Sequence, residues 1–242
     1  MGNASEPALN VLTDNTTADG KAVFVFPGTG SAWTAIADEL LDSPGAFARE
    51  IRFCDTAFSE FVDWSILEAV RGAHDSSHLD RVDVIQPMLF SVMVSLAAHW
   101  RSMGANPDAV LGHSHGEIAA AYVAGALSLR DAAMVVALRS KAVRTINDGD
   151  ELRQALRASL SALKPRTGEI PFVSSVTGAG LDTSILDCDY WFANLRQPVL
   201  FEQAVQWSYE HGYRRFIEVF PRPVLAVGIQ ESLDEFAGDR VT

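Results

Sequence analysis

A serine set between two glycines, Gly112-His113-Ser114-His115-Gly116, carries the most direct chemical signal in this chain of 242 residues. A serine hydroxyl becomes a useful nucleophile when a sharp strand-to-helix turn lifts it above a sheet and a base takes its proton. Glycines suit that turn, because a side chain at Gly112 or Gly116 would collide with neighbouring backbone. The helix that follows aims free N–H groups at an acyl oxygen, and the backbone N–H of His115 is the natural first oxyanion donor. The competing reading is a tight turn whose glycines serve packing only. Context decides for the nucleophile: residues 108–111 read as a strand and the alanine-rich residues 116–126 as a helix.

The elements that must hold this turn can be read from hydrophobic pattern. Residues 22–26 (AVFVF) form a short apolar run closed by Pro27-Gly28, as a buried central strand requires. Helical patterns follow over residues 31–41, 44–61 and 80–100, with Pro87 marking a kink or a true start in the last. Another helix covers residues 131–143, and further buried strands are predicted at 172–176 and 215–219 with a helix at 201–209 between them. Strands alternating with helices give an α/β fold around an open, mostly parallel sheet. Residues 1–20 are polar and read as a tail or linker, and residues 236–242 as a C-terminal tail. The core then divides into residues 21–146 and 167–235. Between them, residues 147–150 form a turn, and residues 151–163 a charged amphipathic helix ending before Pro165.

Charge and composition exclude several functions. A net charge of −12 argues against nucleic acid, which needs a basic surface, yet leaves room for an anionic thioester held by one local arginine. Cys54 and Cys188 make neither a metal-like pair nor a disulfide framework, so a reducing cytosol is expected. The opening residues lack a basic segment followed by an apolar run, so no secretory signal is expected, and Met1-Gly2 with Ser5 fits a myristoylation pattern only loosely. No membrane span is expected either: the longest candidate, residues 82–100, is interrupted by Gln86, Pro87 and two serines. None of the six histidines has metal-ligand spacing with another ligand, so no metal is predicted.

These motifs extend into a chain-long resemblance. The sequence resembles the acyltransferase domain of modular polyketide synthases, akin to malonyl-CoA:ACP transacylases. Residues 112–117 match the family's GHSxGE element, and residues 24–31 its first strand and glycine turn, here with Gly28, Thr29 and Gly30. Gln86-Pro87 matches a pocket-lining pair, and Arg139 lies 25 residues beyond Ser114, where the family places its carboxylate-binding arginine. The likeness resumes at Pro171-Phe172, Asp189-Tyr190-Trp191, residues 194–199, residues 216–219 and residues 221–225. It implies an α/β-hydrolase-like large subdomain, a catalytic Ser114, oxyanion donors on the backbones of His115 and Thr29, and a pocket of Gln86, His113, Gly28 and Gly30. It also implies no bound cofactor, an acyl-CoA substrate, and as partners an acyl carrier protein and neighbouring synthase domains. Arg139 has its own rationale, since a guanidinium grips a planar carboxylate through two parallel hydrogen bonds. In the family, a segment like residues 81–86 (RVDVIQ) accompanies methylmalonyl rather than malonyl selection.

The chain also departs from the family. The resemblance implies a ferredoxin-like small subdomain, bearing the general-base histidine, inserted after the arginine helix. Between Arg139 and Pro171 there is no histidine and too little chain for that subdomain, which is deleted or reduced to one helix. His113 belongs to the turn, where the family uses it for support. His115, which replaces the common glutamine, sits off the helix start beside Ser114 and is the substitute base to weigh, although adjacent helical side chains do not face each other. His74, His78 and His211 read as surface residues, and His99 as packed with Trp100 at a helix end. Thr29 and Arg222 stand where the family has a glutamine and a histidine. The expectation is an acyltransferase weakened by loss of its base, with an uncovered cleft that favours self-association. The alternatives are an inactive docking or scaffold module, and a serine hydrolase relying on His211.

Overall fold

The apolar run at residues 22–26 becomes a central strand whose side chains alternate between two hydrophobic layers. Phe24 and Phe26 face one layer and Val23 and Val25 the other, all fully buried. A computed structural model describes residues 10–13, 20–30, 39–72 and 81–238. Its strands are β1 (Asn10–Thr13), β2 (Lys21–Phe26), β3 (Ala109–Gly112), β4 (Phe172–Ser174), β5 (Ala179–Leu181) and β6 (Tyr213–Glu218). They form one sheet in the order β1-β6-β2-β3-β4-β5, in which β6, β2, β3 and β4 run parallel and the two edge strands antiparallel.

The helices are α1 (Ala46–Phe58), α2 (Ile66–Val70), α3 (Val82–Ser102), α4 (Gly116–Val123), α5 (Leu129–Thr145), α6 (Gly149–Ser159), α7 (Cys188–Arg196), α8 (Phe201–Glu210) and α9 (Ala226–Gly238). The larger layer joins Phe24 and Phe26 to α1, α3, α4 and α5, with Trp100 edge-on to Phe24 at 6.0 Å between ring centres. The smaller joins Val23, Val25 and Leu111 to α8 and α9 through Ala204, Val205, Ile229 and Leu233. A parallel sheet covered on both faces needs this apolar run in its central strand.

Three expectations change. Part of the stretch read as an N-terminal tail is β1, which pairs Asn10–Thr13 with β6. Pro87 does not open its helix: α3 begins at Val82 and runs through it, losing only the bond its N–H would have made to the Asp83 carbonyl. Contrary to the sequence reading, α3 is long and apolar enough to span a bilayer by length and hydropathy. Two thirds (67%) of its apolar window is buried within the fold, as in a core helix. The helix expected at residues 31–41 lies outside the described residues up to 38, as do His74 and His78.

Where the family resemblance implies a subdomain, α5 and α6 are joined directly by residues 146–148. Asp148 caps α6, accepting hydrogen bonds from the N–H groups of Asp150 and Glu151 at 2.9 Å each. Leu152, Leu156 and Leu160 recur every fourth residue and are buried, so one stripe of α6 faces the core. On its other side, Arg153 and Arg157 both reach Asp189 on α7. The junction is therefore a docked helix and not a loose scar. Replacing Leu156, which is fully buried, by alanine is expected to lower stability by about 2–5 kcal/mol in urea unfolding. A loss below about 0.5 kcal/mol, the scale of an ordinary surface change, would show that α6 is not part of the core.

Candidate active site

Strands β2 and β3 end level with each other. Phe26 pairs with Gly112, and the His113 N–H continues the ladder by donating to the Phe26 carbonyl at 2.8 Å. The turns after both strands therefore emerge side by side at the carboxyl edge of the parallel sheet, where such sheets open to ligands. Space there is too small for side chains. A Cβ on Gly28 would lie 2.6 Å from the His113 carbonyl oxygen and 3.3 Å from the Ser114 Cβ. One on Gly116 would overlap the Phe26 carbonyl, and one on Gly112 the backbone of Glu117. Gly30 packs under the Phe220 ring. Ser114 has φ 52°, and it is the one non-glycine residue with positive φ among the described residues. That is the backbone a nucleophile elbow would require, a strained conformation that persists because its surroundings over-determine it.

What over-determines it lies one turn further on. Glu117 is fully buried, and every contact to its carboxylate comes from a donor. Its Oε1 accepts from the Ser175 N–H and from Ser175 Oγ (3.0 Å), and its Oε2 from Tyr190 Oη and Asn194 Nδ2 (2.8 Å each). Burial lifts the pKa of Glu117 while these bonds favour its charged form. Ser175 Oγ also receives the Ser114 N–H at 3.4 Å, and Asn194 Nδ2 donates to the Ser114 carbonyl at 3.0 Å. Neither Ser175 nor a role for Glu117, Tyr190 or Asn194 was evident from sequence. Tyr190 and Asn194 stood only as matched positions, and nothing marked Ser175.

Arg139 comes off α5 into the same cluster and is 1% exposed. Its Nη1 lies 3.5 Å from Gln86 Oε1 and 3.4 Å from His115 Nδ1, and its Nη2 donates to Asn194 Oδ1 at 3.1 Å. All three acceptors are neutral. No carboxylate pairs with Arg139 among the described residues, and its buried Nε has no partner. Burial lowers its pKa to about 10, and the nearby Glu117 charge opposes that shift. A buried cation without a direct ion pair is costly, so this arrangement suits an anionic ligand.

The His115 ring does not hang beside Ser114. It is buried against α3, with Nε2 3.0 Å from the Gln86 carbonyl and Nδ1 against Arg139. Burial, then the Arg139 charge, depress its pKa to about 3. Donating through Nε2 and accepting through Nδ1, the neutral ring has no free nitrogen for Ser114. His113 is half-buried with its ring edge-on to Phe201 at 5.2 Å, and burial lowers its pKa. His211 stacks on Trp207 at 3.7 Å and contacts that residue's carbonyl, so the base required by a hydrolase reading is committed elsewhere. Ser114 Oγ has no hydrogen bond to any base among the described residues. Thr29 is exposed at the tip of its turn. The cavity of about 500 Å³ lined by Trp64, Arg81, Asp83, Lys141 and Arg144 is separate from these residues.

The acyl transferase domain model matches residues 23–150 and 147–241, as two segments meeting at the α5–α6 junction. The chain is 42% identical to mycoketide-CoA synthase of Mycobacterium tuberculosis over 92% of its own length and 7% of the relative's. It is 39% identical to the EryA2 erythronolide synthase of Saccharopolyspora erythraea over 98% of its length and 9% of the relative's. The chain thus spans less than a tenth of these relatives. Both alignments run longer than the chain: 295 positions over roughly 223 of its residues (92%), and 308 over roughly 237 (98%). Each relative therefore carries at least about 70 residues with no counterpart here. Among solved structures, a loading acyltransferase of the avermectin synthase superposes with TM-score 0.84 at 36% identity, covering 89% of this chain and 92% of that one. The acyltransferase domain from module 8 of the salinomycin synthase gives 0.82 at 37%, covering 90% and 68%.

His115 supplies a test of the inner site. Its folded pKa lies below the ordinary value of 6.5, so below that pH the unfolded chain binds a proton that the folded chain refuses. Its contribution to stability is therefore lost as pH falls from 6.5 toward 3, by up to about 1.4 kcal/mol per pH unit. Chemical unfolding of the wild type and of His115→Gln across this window should diverge with that sign. Parallel profiles would mean that the ring titrates normally.

Proposed function

This chain belongs to the acyl transferase domain family of modular polyketide synthases, and from that premise we propose that it carries an acyl group as an ester on Ser114. In the proposed reaction Ser114 Oγ attacks the carbonyl of an acyl-CoA thioester. The tetrahedral oxyanion is met by the backbone N–H groups of His115 and Thr29, and coenzyme A leaves as its thiol. The phosphopantetheine thiol of an acyl carrier protein then takes the acyl group from Ser114. Arg139 binds the free carboxylate of a dicarboxylic extender unit. The observation that carries this reading is the buried Arg139, which has no direct ion pair among the described residues and is linked through Asn194 to the backbone of the strained Ser114.

Methylmalonyl is the favoured extender. Arg81 and Arg144 both pair with Asp83, tying the start of α3 to the end of α5 and setting Gln86, one turn on, against Arg139 and His115. This gives residues 81–86 a physical connection to the acyl pocket. One methyl group supports only about 1–3 kcal/mol of discrimination, so the preference over malonyl is a ratio and not a switch.

The proton on Ser114 is the weak point. In the family resemblance the base comes from the small subdomain, and the family model matches this chain as two segments that meet at the junction where that subdomain would be inserted. Transfer is therefore impaired. Without a base the chain serves equally as a docking or scaffold module of a synthase, a reading favoured by the unpartnered Ser114 Oγ. Water entering an uncovered site would divert any acyl-serine to hydrolysis, and exposed cleft surface would promote self-association. The free Cys54 and Cys188 suit a reducing compartment.

The deciding experiment incubates the folded chain with methylmalonyl-CoA and with malonyl-CoA and reads acylation by intact mass. Slow labelling, absent in Ser114→Ala, is expected, with methylmalonyl favoured. Equal labelling of Ser114→Ala would overturn the nucleophile, and no labelling of a folded chain would establish the scaffold. Inserting the additional segment of a relative between Asn147 and Asp148 should raise the rate by roughly 10⁴-fold, the scale on which triad members act. An insertion that folds without raising the rate would refute the missing-base account.

A further inference from the structure

We infer that Asn194 is the positioning residue of this site, one amide that holds the nucleophile turn and the anion-binding guanidinium in register. The inference rests on the proposed roles of Ser114 and Arg139. Asn194 is 4% exposed, and its Nδ2 donates to the Ser114 carbonyl at 3.0 Å and to Glu117 Oε2 at 2.8 Å. Its Oδ1 accepts from Arg139 Nη2 at 3.1 Å. The amide has one allowed orientation, because reversing it would turn its oxygen toward a carboxylate and its NH₂ toward a guanidinium.

Neutrality is the chemical point. Aspartate has nearly the same shape and could accept from Arg139, but it would neutralise the cation intended for the acyl carboxylate and set a second anion beside Glu117. Asparagine orients the guanidinium while leaving its charge whole. His115 and Gln86 act on the other end of the same group, also as neutral acceptors. Bound from these sides, Arg139 is left with its buried ε N–H as the one guanidinium nitrogen without a partner, so its hydrogen bonding is incomplete within the described residues. Asn194 lies on α7, in the second of the two matched segments, while Ser114 and Arg139 lie in the first. The amide thus joins the halves of the chain at their chemical centre.

The test compares binding of methylmalonyl-CoA and propionyl-CoA by calorimetry, since the two differ only in the carboxylate that Arg139 would hold. Wild type should favour methylmalonyl-CoA by about tenfold or more, as expected for a buried charge-assisted pair. Asn194→Asp should bring the ratio close to one while leaving propionyl-CoA affinity within a few fold, and the double variant Asn194→Asp with Glu117→Gln does the same without the paired anions. A residue that is merely structural would weaken both ligands together, so an undiminished ratio in a folded Asn194→Asp overturns the proposal. Arg139→Ala separates the two levels: if wild type and Arg139→Ala both bind the two thioesters alike, the carboxylate reading of Arg139 fails. The turn is then judged on its own by hydrogen exchange over residues 113–118, which Asn194→Ala should accelerate at least tenfold. Unchanged exchange there overturns the remaining role.

Discussion

A carboxylate buried directly behind the Ser114 turn is the constraint on which the rest of this structure depends. Glu117 has no contact with water, so its charge must be met by donors fixed in place. They come from Ser175 just beyond β4 and from Tyr190 and Asn194 on α7. Ser175 and Asn194 are also the groups that bond the backbone of Ser114. Satisfying one buried charge therefore holds Ser114 at positive φ, and it does so only when segments more than fifty residues apart are docked. Two glycines are the local condition, since a Cβ on either would enter backbone at the crossing of β2, β3 and α4.

The same network explains how the fold closes over its short junction. Every donor to Glu117 lies in the second matched segment, and each packs against the first without help from residues between α5 and α6. α6 then needs only a cap, a leucine stripe and an ion-paired edge to replace a larger connection. Those ion pairs are solvent-exposed and add little stability, so the leucines supply most of the docking energy. The network that orients Ser114 and Arg139 needs no residue beyond these two segments.

Much of this was legible in sequence where a single residue type has a single physical use. The AVFVF run could only be a doubly covered strand, and the glycine spacing marked the elbow. Arg139 was legible through resemblance alone, because nothing local distinguishes it from a surface helix arginine. The short strands β1 and β5 were missed because three or four residues carry too little periodicity and owe their form to partners far along the chain. Pro87 misled because its cost depends on one carbonyl, and near a helix start that loss is tolerated. For His115 the sequence reading set chain adjacency to Ser114 against helical geometry, which sends neighbouring side chains in different directions, and the ring turns inward to α3 as the geometry requires. Ser175 is an ordinary serine whose meaning exists only once β4 is laid beside β3.

Electrostatics at the site runs against the charge of the whole. With a net charge of −12, the chain as a whole would repel the anionic thioester proposed as its substrate, so any attraction must be local. Burial achieves this, because a guanidinium removed from water acts through a low dielectric, while the dispersed surface acids are screened. The neighbours of Arg139 then matter through what they are not. A carboxylate at Gln86, His115 or Asn194 would quench the cation, and a protonated His115 would add a second charge that the pocket could not bear. Desolvation keeps that imidazole neutral at physiological pH, so His115 acts on Arg139 as a neutral acceptor. Arg139 is thus surrounded by acceptors that orient it without adding or cancelling charge.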